Sequence, residues 1–132
     1  MNRELLIKVK EAILANPDHF DMSSWLVPGH ENTFGCGTAA CIAGWAGLIA
    51  AGSNPARLYF YDSKWGRFEK IAIEGTKALD LSDDQHQALC YVGSWPVELR
   101  AEYDKAVAAR DGKKAAAAAA DRIDYFIKTD GD

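Results

Sequence analysis

The 132-residue chain lacks any apolar run long enough to cross a bilayer. Its longest apolar stretch, Ala39 to Ala51, is interrupted by Gly44 and Gly47 and falls short of the roughly 20 residues a span needs, so it reads as a buried helix. A basic surplus is also missing. Lys and Arg number 15 against 19 Asp and Glu, a net charge of −4, which argues against a long nucleic acid or an anionic membrane as partner. The first ten residues scatter charges among their apolar positions and lack the uninterrupted core of a secretion signal. Cysteine is scarce and odd in number: Cys36, Cys41 and Cys90 do not form a disulfide framework, and they fit reduced thiols in the cytoplasm. There is no Ser-His-Asp pattern, no Glu-x-x-His metal motif, no internal repeat and no dividing linker, so one domain over residues 1–132 is expected.

What is present is helical periodicity. Leu5, Leu6, Val9, Ala12 and Ile13 recur at helical spacing between Arg3 and Ala15, with Asn2 placed to cap the start and Asn16-Pro17 to end the helix. A short helical turn is expected around Met22 to Leu26. A second helix is expected over Ala39 to Ala51 and closed by Gly52, its Ala and Gly positions so thin that another helix can approach closely. Ile71, Ala72, Gly75, Ala78 and Leu79 mark a third, and Ser82 with Gln85 forms a capping box for a fourth. Pro96 suits the first turn of a fifth, whose buried face is Leu99, Tyr103, Ala106 and Val107. Past a break at Gly112, six consecutive alanines lead to Ile123, Phe126 and Ile127 in a last helix. The fold class is therefore mainly α, a compact bundle of five to six helices. Beta-formers cluster only near residues 55–68, where a short hairpin and an ordered loop are equally compatible with the pattern.

The most distinctive segment runs Phe34-Gly-Cys-Gly-Thr-Ala-Ala-Cys-Ile-Ala-Gly-Trp45. In one reading, the backbone N–H groups of Gly37, Thr38 and Ala39 and the Thr38 hydroxyl form an anion site at a helix start, without the lysine of a P-loop. In a second, Cys36 is a nucleophile activated by the helix dipole, with His30, His19 or His86 as base. A third makes Cys36 and Cys41 metal ligands with Cys90 or His30, although no second paired ligand motif exists. The fourth is structural: the glycines shape a turn, Thr38 caps the helix and Cys41 is a small core hydrophobe. A second candidate is the stretch in which Arg57, Lys64 and Arg67 interleave with Tyr59, Phe60, Tyr61, Trp65 and Phe68. Cations beside aromatic faces suit a stacked base and its phosphate, and equally a half-buried hairpin.

The segments Asn16-Pro-Asp-His-Phe-Asp-Met, Cys36-Gly-Thr-Ala-Ala-Cys-Ile-Ala-Gly-Trp45, Trp95-Pro96 and Arg122-Ile-Asp-Tyr-Phe-Ile-Lys-Thr-Asp-Gly131 together resemble a group of small, functionally uncharacterised proteins of bacteria and their phages. The resemblance spans nearly the whole chain and implies a bacterial or phage context; it carries no site residues. The expectation is thus a non-catalytic binding module for a small anionic ligand such as a nucleotide, held by Gly37, Thr38, Arg57 and Arg67 with Tyr59 and Trp65 stacking. No metal or cofactor is expected. The alternatives are a cysteine enzyme using Cys36 with His30, and a protein-protein adaptor presenting apolar surface on its terminal helices.

Overall fold

The computed structural model describes residues 1–22, 41–52 and 73–132. Within them every regular element is helical, and the capping chemistry foreseen in the sequence sets several boundaries. Helix α1 spans Arg3–Ala15: the Asn2 side chain accepts the Leu5 N–H at 3.0 Å, and Leu5, Leu6, Val9 and Ile13 are buried. Asn16 closes it ahead of Pro17, which opens a 3-10 turn over Pro17–His19.

Helix α2 spans Ile42–Ala50, starting three residues later than the spacing predicts. Cys41, and not Thr38, occupies its N-cap, its sulfur accepting the Gly44 N–H at 3.5 Å. The thin profile has the expected consequence. Gly75, in the helical stretch 73–78 (α3), faces the backbone of α2 so closely that a Cβ there would overlap the Ala43 carbonyl oxygen and crowd the Gly47 amide. The predicted turn from Met22 to Leu26, beyond Met22 itself, and the hairpin or loop near residues 55–68 lie outside the described residues.

Helix α4 spans Asp83–Cys90 behind the predicted capping box, with both reciprocal bonds formed between Ser82 and Gln85. A 3-10 turn over Val92–Ser94 leads to α5, Val97–Ala108, with Pro96 at the N-cap, one residue ahead of the first turn. Helix α6, Gly112–Lys128, begins at Gly112 itself, because the Asp111 carboxylate caps it by accepting the Lys114 N–H at 3.1 Å. The break between α5 and α6 is therefore residues 109–111. On α5, Tyr103 and Ala106 are buried as expected, but Val107 is half exposed: one residue on from Ala106 it turns about 100° around the helix, to the open edge of a cleft that all three residues line.

Four helices end in left-handed residues: Gly52 after α2, Asp80 after α3, Arg110 after α5 and Asp130 after α6. At the last three, paired bonds close the end, as in Asp111 N–H to Ala106 O and Arg110 N–H to Val107 O. Three of these positions carry a side chain where glycine would be free of strain.

The core joins α1, α2, α4, α5 and α6 around α6, which packs against α5 on one side and α1 on the other. Ala115, Ala116, Ala118, Ala119 and Ala120 are buried along its first half, and Ile123 and Phe126 along its second. Both ends of the described chain dock on the same corner: the Asn2 N–H donates to Leu79 O at 2.6 Å, and Arg3 pairs with Asp130 at 2.8 Å. Among the described residues no helix is long and apolar enough to cross a membrane.

Candidate functional site

The residues singled out for chemistry fall into two groups. Cys36, His30, Gly37, Thr38, Arg57, Tyr59, Trp65 and Arg67 lie outside the described residues. The fold nevertheless fixes where their segments join: residues 23–40 lead into α2 at Cys41, and residues 53–72 leave it after Gly52. These junctions sit at opposite ends of a nine-residue helix, about 13 Å apart at 1.5 Å per residue.

The second group is described, and its reactive side chains are engaged in structure. The Cys41 and Cys90 thiols are buried at the junction of α2 and α4. Burial pushes both pKa values above the ordinary thiol range; backbone N–H groups, including that of Ala43, oppose the shift only in part. Neither is an activated thiolate of the kind a nucleophile or a metal ligand requires. His86 shares a 2.8 Å hydrogen bond between its Nδ1 and the Thr76 hydroxyl and meets the Tyr91 ring edge-to-face; burial lowers its pKa, against the pull of Asp83. The His19 carbonyl accepts the indole N–H of Trp45 at 3.1 Å, tying the first 3-10 turn to α2. Among the described residues no group of three His, Cys, Asp or Glu is placed to hold a metal ion.

Two concave surfaces are formed by described residues. The first is an open cleft of about 370 Å³ between the Pro17–His19 turn and the α5–α6 break. Phe20 and Tyr103 form its aromatic wall, with ring centroids 6.4 Å apart in an edge-to-face arrangement, and Trp95 stacks edge-on behind Tyr103 at 5.3 Å. The Tyr103 hydroxyl accepts the Met22 N–H at 3.2 Å, and burial raises its pKa. Asp18, Asp21, Asp111 and Arg110 supply the charge. Such a cleft offers an aromatic face beside hydrogen-bonding and charged groups. The second is a groove of about 300 Å³ between α5 and α6, floored by Ala106, Ala109, Ala117 and Ala118 and rimmed by Glu102, Lys105, Lys114 and Asp121.

Sequence reasoning missed Arg122. It is fully buried in the middle of α6, where its Nη2 donates to the carbonyl oxygens of Ala88, at 2.8 Å, and Asp132, at 2.7 Å. Its guanidinium lies 5.5 and 5.3 Å from the Tyr125 and Phe126 ring centroids. Nε and Nη1 are buried without a partner, and burial lowers the pKa. The one available signal was position: Arg122 stands one residue before Ile123 and four before Phe126, within reach of the apolar face.

No protein-family model, no curated protein and no solved structure matches the chain.

Proposed function

We propose that the chain is a non-catalytic binding module for a small anionic ligand, with a nucleotide as the leading class. The observation that carries this reading is the fate of the reactive groups in the described scaffold. Its thiols are buried with raised pKa values, and its buried arginine is engaged by carbonyls and aromatic faces. The groups suited to an anion are then Gly37 and Thr38, with Arg57 and Arg67 for phosphate and Tyr59 or Trp65 for stacking.

Buried, reduced thiols fit a cytoplasmic setting. Within the bacterial or phage context implied by the resemblance, sequestering a host signalling nucleotide is the use we assign to the module. Isothermal titration of the full chain with a panel of nucleoside mono-, di- and triphosphates tests the reading. A saturable heat that disappears in the Arg57→Ala and Arg67→Ala variants supports it, and no heat with any member of the panel refutes it.

A further inference from the structure

The cleft beside Phe20 and Tyr103 is lined by none of the residues assigned above to an anionic ligand. At about 370 Å³ it stands at the small end of ligand sites, which run from roughly 300 to 1,000 Å³. Charges of both signs line it and do not meet. The side chains of Asp18 and Arg110 form no ion pair and no hydrogen bond among the described residues. Asp18 Oδ1 lies 3.8 Å from the place a Cβ on Gly112 would take, so its carboxylate stands over the start of α6, next to the Asp111 cap. Asp111 itself has only a loose ion contact, with Lys114 at 3.9 Å. Tyr103 is 7% exposed and lines the same cleft; its hydroxyl accepts the Met22 N–H, and its own proton has no acceptor among the described residues. Val107, 51% exposed, adds an open apolar edge.

We propose that this cleft binds a small zwitterion with an apolar side chain, the chemistry of a free α-amino acid. A simple anion such as phosphate would meet Asp18, Asp21 and Asp111 against a single guanidinium. A simple cation would be repelled by Arg110 and leave it unpaired. A ligand that carries both signs answers both sets of groups. Its carboxylate goes to Arg110, whose planar fork donates two parallel hydrogen bonds to such a group, and the Tyr103 O–H is a further donor on the same cleft. Its ammonium group brings three donors to the Asp18 and Asp111 oxygens. Its side chain covers Val107 and the rings of Phe20 and Tyr103, which frame the cleft edge-to-face.

Isothermal titration of the full chain with leucine and with phenylalanine tests the proposal, each alongside its decarboxylated amine and its N-acetyl form. The expected result is saturable binding of at least one of the two amino acids. The matching amine, which lacks the carboxylate, and the N-acetyl form, which lacks the charged amine, each bind roughly tenfold or more weakly. Asp18→Asn and Arg110→Gly each weaken the amino acid by a similar factor. Both positions are exposed, and glycine relieves the left-handed backbone of Arg110, so thermal melts of the two variants stay close to or above the parent. The loss is then one of recognition and not of folding. No saturable heat with either amino acid, an amine or N-acetyl form that binds as tightly, or an affinity unchanged in both variants overturns the proposal.

Discussion

The two halves of α6 are built on opposite plans. From Ala115 to Ala120 the buried positions are all alanine, and this half meets α5 with side chains so short that a groove stays open between the helices. From Arg122 onward the buried positions are Arg122, Ile123 and Phe126, which fill the space against α1 and α4 and hold the residues that follow the helix. The alanine half sets spacing and leaves surface, whereas the second half supplies most of the apolar burial. Stability should therefore be concentrated in the second half, and tolerance to change should differ in kind between them.

Phe126→Ala breaks the comparison hardest. Removing a fully buried phenyl ring leaves a cavity and should cost about 4 kcal/mol in urea denaturation, well beyond any truncation available in the alanine half. Arg122 sharpens it. Arg122→Ala should cost about 3 kcal/mol, because it empties the site and leaves the Ala88 and Asp132 carbonyls without their donor. Arg122→Met should cost clearly less than alanine, since it keeps volume and removes a buried charge with two unpartnered nitrogens. If Met and Ala variants melt alike, packing is not what Arg122 contributes.

In the first half the sign of the size effect reverses. Ala119 is fully buried, so Ala119→Val should destabilise by about 2 kcal/mol through overpacking, visible in the same denaturation series. A smaller effect belongs to the turn between α5 and α6. Arg110 holds φ +54°, forms no ion pair among the described residues, and should gain about 1 kcal/mol as Arg110→Gly. The equivalent change at Asp80 or Asp130 should gain less, because their carboxylates pair with the Met1 ammonium group and with Arg3.

The smallest expected effect is one of pH, outside α6. The folded pKa of His86 lies below its ordinary value, so protonation favours the unfolded chain. Its contribution is fully present above about pH 6.5, the ordinary histidine value, and is lost as pH falls towards the lowered folded value. His86→Gln should flatten that part of the stability profile, measured by chemical denaturation at a series of pH values.

Much of this was legible in the sequence, for local reasons. Asn2, the Ser82–Gln85 box and Pro17 act through bonds or sterics within three or four residues, so α1 and α4 began or ended where their caps stood. The start of α2 differs from the spacing because Thr38 and Cys41 are both residues whose side chains can accept an amide hydrogen bond three positions on, so the sequence alone does not choose between them, and in the fold Cys41 takes the extended cap backbone with its sulfur on the Gly44 N–H. Val107 was misread because a helix face wide enough for Tyr103 and Ala106 does not reveal how far its neighbours extend. Arg122 was invisible for a stronger reason: arginine at helical spacing reads as surface, and its burial depends on carbonyls 34 residues earlier and 10 later. The cleft beside Phe20 and Tyr103 was equally hidden, since its walls come from segments more than 80 residues apart.

Native mass spectrometry of the full chain, purified gently and compared with its denatured mass, tests the central claim most directly. The account predicts a non-covalent adduct of nucleotide mass, lost on denaturation and absent from the Arg57→Ala and Arg67→Ala variants. A bare chain that also takes up none of the added nucleoside phosphates would contradict it.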